Sequence, residues 1–271
     1  MSLAYYTAGD RPKILLFIVF LWIAIMGSSS SAAVLDWGTG AGQANWNPTG
    51  PLSQTFTVSG VNVTVALSGD TGNFITWSGV DSPDNSNIVD GGTGGEALYL
   101  GVDHANLTQR IIVTVTFSQL VVINSLAIFD IDTFNTNSFQ DQIRTISASN
   151  GTSTFNATIA ADPSFVTVAG SGTAGATLTG ILGAGGADGA GNTTSEGTGT
   201  ISFGSNAINS FTFTYGNGSG SQANPTSQHV ALGDITFTIP EPSTYLSAAF
   251  LILGLGMHGW RKRCAKKNFS A

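Results

Sequence analysis

Lysine and cysteine are absent between Val34 and Ile239, a stretch with only two arginines (Arg110, Arg144) and two histidines (His104, His229). Fourteen Asp and Glu share it, so its formal charge is −12. A body of that sign excludes nucleic acid as a partner, because binding needs Lys and Arg to neutralise phosphates. Without cysteine the body holds no disulfide, no Cys-based zinc cluster and no thiol nucleophile. Cys264, the one cysteine of the chain, is either incidental to the basic tail or a lipidation site with a thiol pKa lowered by nearby cations. Charged residues make up 9% of the 271, against roughly 25% in an ordinary soluble domain. Gly, Ser, Thr and Asn fill the difference, and an apolar fraction of 42% still permits a core.

The remaining cations gather at the ends. Arg11 and Lys13 precede an apolar run, Ile14 to Met26, followed by small residues through Ser31-Ala32-Ala33. This reads as a secretory signal peptide over residues 1–33, cleaved near Ala32 or Ala33. An uncleaved anchor is the alternative, for which thirteen residues is short. At the other end Pro240-Glu241-Pro242-Ser243 forbids both helix and sheet and is expected as an exposed extended linker. Residues 245–260 follow as a sixteen-residue uncharged span with Tyr245 and Trp260 at its rims, read as one transmembrane helix. Arg261, Lys262, Arg263, Lys266 and Lys267 then form a basic cluster over 261–267 that stops translocation and stays cytoplasmic.

Taken in order, Pro-Glu-Pro, apolar span and terminal Arg/Lys cluster resemble the PEP-CTERM sorting signal of exopolysaccharide-producing Gram-negative bacteria, over residues 240–271. The resemblance implies that a membrane-embedded exosortase recognises Pro240, Glu241 and Pro242 and removes the anchor. The body would then be released or transferred to the cell surface. A basic run broken by Cys264-Ala265 is the one departure from the pattern. A delivery route is implied, and no activity.

The body, residues 34–239, shows no amphipathic helix. Apolar residues alternate instead: Phe56, Val58; Val61, Val63, Val65; Ile111, Val113, Val115, Phe117; Ala127, Phe129, Ile131; Phe211, Phe213, Tyr215; Ile235, Phe237, Ile239. The phase shifts at Ser59-Gly60, which marks a turn or bulge. About ten short strands with Gly-containing turns argue for an all-β fold, an antiparallel β-sandwich of jelly-roll type. Residues 169–200, with eleven glycines, read as a low-complexity loop with room for one strand at Ala176–Leu182.

Asp130 and Asp132 are two apart and share a strand face. With Asn135, Asn137, Asp141 and, across a pairing, Asp234, they form a candidate calcium shell of oxygen ligands; solvated Asp at a strand end is the alternative. Trp37, Trp46 and Trp77 are candidate stacking platforms for a sugar face. The Gly/Asn-rich opening around Trp37 and Trp46 fits a binding loop or a capping strand equally, and core packing is the favoured role for Trp77, which ends the run Phe74-Ile75-Thr76-Trp77. His104 and His229 stand in no metal-binding or triad-like motif. Glu96 and Glu196, the only body glutamates, lie in Gly-rich loops, leaving little for paired-carboxylate glycoside hydrolysis. The expectation is a non-catalytic surface or extracellular-matrix protein associated with exopolysaccharide. A carbohydrate-binding module, calcium-stabilised or not, is the first alternative and a glycan-degrading enzyme the second.

Overall fold

Short runs of β-branched and aromatic residues separated by Gly-containing turns become strands throughout a computed structural model that describes residues 32–134, 138–181 and 193–240. In chain order these are β1 (Ala32–Leu35), β2 (Ser53–Val58), β3 (Val61–Gly69), β4 (Thr76–Trp77), β5 (Val80–Asp81) and β6 (Asp84–Ser86). They continue as β7 (Ala97–Val102), β8 (Arg110–Ser125), β9 (Ala127–Phe129), β10 (Asp141–Ser149), β11 (Thr154–Asn156) and β12 (Thr158–Ala161). The last six are β13 (Val166–Ala169), β14 (Thr177–Gly180), β15 (Gly199–Ser202), β16 (Ile208–Asn217), β17 (Gln228–Leu232) and β18 (Ile235–Thr238). Among the described residues there is no α-helix, only a short 3-10 turn at Thr71–Asn73.

Every strand pairing is antiparallel. The first sheet runs β1-β18-β8-β16-β10-β14-β13, with β3 and then β2 also joined to β8 and β11 to β10. The second runs β12-β15-β9-β17-β7-β6, and β4 with β5 forms a small hairpin. One core is shared by Val113 and Phe213 of the first sheet and by Leu98, Leu100, Val230 and Leu232 of the second. Antiparallel sheets over a common core are consistent with a β-sandwich. A compact unit spans Ser31–Ile239.

The phase shift at Ser59-Gly60 is a two-residue turn joining β2 to β3, with φ of +50° and +80°, as a tight hairpin requires. On the outward side of the first sheet, polar alternation becomes a hydroxyl row. Thr55, Thr64, Thr116, Ser210, Ser149 and Thr154 stand in register across β2, β3, β8, β16, β10 and β11. Hydroxyls thus supply the solvent face that Lys and Glu supply in ordinary sheets.

Three expectations change. The strands number eighteen rather than about ten, because several are two- to four-residue pairings too short to show a period. Within the Gly-rich stretch, β14 falls inside Ala176–Leu182 as expected, but β15 also begins there, at Gly199; residues 182–192 lie outside the described residues. Trp37 and Trp46 are not surface platforms, each being 1% exposed. The Gly/Asn-rich opening folds back on itself, Ala44 N–H donating to Asp36 O at 2.7 Å, and turns both indoles inward against Phe56. Trp37 meets that ring edge-on at 5.6 Å, Trp46 at 6.4 Å. The Trp37 indole N–H donates to Gly233 O at 3.1 Å, so its polar edge is satisfied inside.

Residues 1–31 and 241–271, which carry the expected signal peptide, Glu241, Pro242, the span and the basic cluster, lie outside the described residues. Ala32 and Ala33, placed in the signal peptide by the cleavage rule, pair in β1 with Thr238 and Phe237.

Trp37→Ala should lower unfolding free energy by about 3–5 kcal/mol, the usual cost of deleting a buried large aromatic. Urea denaturation would measure it. A loss under about 1 kcal/mol would be incompatible with the interior position.

Candidate functional site

Within the second sheet, β7 and most of β17 are buried on both faces, whereas β12 and β15 keep an exposed side. Leu98, Leu100 and Val102 of β7 point into the shared core. Tyr99 points the other way, into a smaller cluster with Val89, Phe129 and Ala231 that Trp77, Val80 and Ile88 help cover. The Tyr99 phenol lies across Gly101, where any Cβ would collide with it. Gly101 pairs with His229 of β17, so the missing side chain leaves room for the imidazole. His229 sits 5.9 Å from the Tyr99 ring and packs against the Trp77 indole at 4.3 Å with a 31° tilt. Trp77 reaches that place because Ser78 and Gly79, at φ +51° and +84°, make a two-residue turn between β4 and β5.

Past β9 the chain bends at Asp130, whose φ of +62° is a left-handed conformation that Asp adopts more readily than bulkier residues. Its buried carboxylate lies 3.3 Å from His229 Nε2. A neighbouring carboxylate favours the charged imidazole and burial opposes it; burial prevails and pushes the His229 pKa down to about 4. The ring is therefore neutral near pH 7.

Asp132 and Asp141 close the loop between β9 and β10 by exchanging backbone contacts, Asp141 N–H donating to Asp132 O at 2.9 Å. The Asp141 side chain is fully buried and accepts from the Tyr215 hydroxyl at 3.0 Å and from Asp132 N–H at 3.3 Å. Burial, reinforced by the Asp130 charge, raises its pKa well above the ordinary carboxylate value. The neutral form of Asp141 is favoured. Burial raises the Tyr215 pKa as well, with the Asp141 charge as the next cause.

Above this cluster opens a cleft of about 270 Å³. Trp77, Phe134 and Phe139 supply its apolar lining, and Asp132, Thr226, Ser227 and His229 its polar groups. Phe134 is exposed and stacks on Phe139 at 6.3 Å. The loop is tied down by Gln140, whose amide donates to Gly180 O at 2.7 Å and accepts from Gly220 N–H at 2.9 Å.

Asp130, Asp132 and Asp141 thus lie near one another, but not through a shared strand face: Asp130 and Asp132 fall past the end of β9, and the left-handed φ of Asp130 breaks the alternation. Asp234 does not join them. It lies past the opposite end of β9, about 13 Å along the strand from Asp130, and accepts from Trp37 N–H at 3.0 Å. Among the described residues no three His, Cys, Asp or Glu side chains are placed to hold a metal ion; Asn135 and Asn137 lie outside them. The reason is local: both Asp141 oxygens are taken by protein donors, and Asp130 faces an imidazole.

His229, Tyr99 and Tyr215 are site residues to which composition and spacing assign no role, whereas Trp77 is a candidate stacking platform in the sequence. One signal was present, since Trp77 directly precedes the two-residue Ser-Gly turn and so stands beside a hairpin tip. His104 is elsewhere, its Nδ1 accepting from the Asn73 amide at 3.1 Å, with a pKa lowered by burial to about 4. No protein-family model, no curated protein and no solved structure matches this chain.

Asp141→Asn should be tolerated, because the amide oxygen can take the Asp132 N–H while the Tyr215 hydroxyl turns to accept. Above about pH 4 the unfolded chain ionises Asp141 while the native state holds its proton, so this residue makes stability fall as pH rises. The variant should lose that slope and gain on wild type between pH 4 and 7 in denaturation profiles. Parallel profiles would show that Asp141 is ionised in the fold.

Proposed function

We propose that the chain is an exported, exosortase-sorted cell-surface or matrix protein, and that its jelly-roll-like body is a non-catalytic saccharide-binding module associated with exopolysaccharide. The cleft at Trp77 carries the binding half of this reading. Flat aromatic faces beside a few hydroxyl, imidazole and carboxylate groups match a sugar ring, whose C–H faces are apolar and whose edge is polar. Non-catalytic action is supported by the acids available. Asp132 is the one carboxylate lining the cleft, whereas glycoside hydrolysis needs two facing carboxyls. Asp141 is buried and committed to Tyr215, and an imidazole with pKa about 4 is a poor general base near neutrality.

The sorting half rests on the resemblance of residues 240–271, and the sheet accommodates it. Ala32 pairs with Thr238, so the body's first and last strands leave the sheet together. Removal of the tail after Pro240-Glu241-Pro242 would leave β18 whole. Cleavage after Ala32 would keep buried Ala33 opposite Phe237.

On a glycan array, binding is expected with and without calcium, and Trp77→Ala should weaken the best hit ~10-fold or more. An array blank in both conditions, or a Trp77→Ala variant of undiminished affinity, would overturn the cleft. In the native host, a Pro240→Ala, Glu241→Ala double variant should keep its tail. Equal mature masses by mass spectrometry would overturn the sorting route.

A further inference from the structure

The two arginines of the acidic body meet in one place. Arg110 of β8 pairs with Gly216 of β16, which pairs in turn with Gln142 of β10. Arg144 lies two residues beyond Gln142 and so shares its outward face. Gly216 makes this possible, because a Cβ there would strike the Arg110 side chain. Arg110 therefore lies across the strand toward Arg144, and the two line a cavity of about 270 Å³ on the outer face of the first sheet. Burial, followed by the Arg144 charge, lowers the Arg110 pKa to about 10. Like charges in a body that offers twelve more acidic than basic groups would be expected to spread apart and pair with carboxylates. Here they converge instead.

The cavity holds further unspent donors. Asn217 is 2% exposed and lines it; its Oδ1 accepts from Ser221 Oγ at 2.9 Å, while its buried Nδ2 has no acceptor. Buried amides without acceptors are uncommon and point to an absent partner. Arg110 Nε is buried without an acceptor too. The opposing groups are few: Asp70 takes the Arg110 backbone N–H at 2.7 Å, and Arg110 Nη1 donates to Gln109 O. Arg144 makes no hydrogen bond or ion pair to a described residue.

We propose that Arg110, Arg144 and Asn217 form an oxyanion-binding subsite that takes the carboxylate or sulfate ester of an acidic saccharide. Paired guanidiniums and an amide N–H match the fork geometry of such groups. An acidic body with one recessed cationic spot would bind an isolated anionic substituent rather than a dense polyanion. That a saccharide carries the anion rests on the function proposed above; the oxyanion site itself does not.

Isothermal titration of the full-length chain in detergent, with sodium sulfate, trigalacturonate and methyl-esterified trigalacturonate, tests both parts. Sulfate and trigalacturonate should bind, and the neutral ester should bind at least ~10-fold more weakly. Arg144→Gln, a half-exposed position whose change should leave melting unaltered, should weaken both anions to a similar degree. Trp77→Ala should leave sulfate binding intact. Undiminished sulfate affinity in Arg144→Gln, or no sulfate binding to wild type, would overturn the subsite. Arg144-dependent sulfate binding without any trigalacturonate binding would overturn the saccharide carrier and keep the anion site.

Discussion

The sixteen residues of β8 hydrogen-bond along both edges, and most of the first sheet is hung on them. One edge takes β3 and then β18, the other β16. Because β16 carries β10, the register of β8 decides where Tyr215 meets Asp141 and where Arg110 meets Gly216. A slip of one residue would turn Tyr215 outward and Arg110 into the core. Both sites, the Tyr-Asp-His cluster and the arginine cavity, are consequences of one register held by the long central strand.

The first sheet was largely readable. Its outward face is hydroxylated, so apolar and polar residues alternate in β2, β3 and β16 and in the first half of β8. The second half of β8 was hidden by Leu120 and Val122, apolar residues on the outer side, which break the pattern without breaking the strand. Of the second sheet only β9 was readable, through the alternation of Ala127, Phe129 and Ile131, and the rest was not, for a physical reason. Every residue of Ala97–Val102 is buried, because core lies on one side and the Trp77–Val89 covering on the other. A strand buried on both faces has no polar partner positions and reads as a plain apolar run. The cleft residue His229 and the buried Tyr99 beside it belong to that sheet, so this part of the site was hidden together with its scaffold. Gly/Asn composition around Trp37 and Trp46 fits a binding loop or a capping strand equally, because composition does not say which way a loop's side chains point.

Scarcity of charge also shapes what the fold can do. With hydroxyls covering the outer sheet, few ion pairs are available to hold the surface, and the acidic groups that do enter the interior must be neutralised by other means. Asp141 is driven toward its protonated form, and Asp130 faces a neutral imidazole. Neutral His229 and protonated Asp141 thus stand beneath the cleft beside the carboxylates of Asp130 and Asp132. For the binding function proposed above, such groups would serve hydrogen bonding to a sugar ring.

The same logic bears on the chain ends. Under the sorting route proposed above, the body would have to keep its fold after losing each flank. Pairing of β1 with β18 answers that requirement, since each terminal strand is locked by the other and β18 is held in turn by β8. Ala33, Leu35, Ile235 and Phe237 bury their side chains from these two strands into the common core. These hydrogen bonds and this burial join the two terminal strands of the body to each other and to β8. The terminal strands are thus tied to the central strand of the sheet rather than to each other alone.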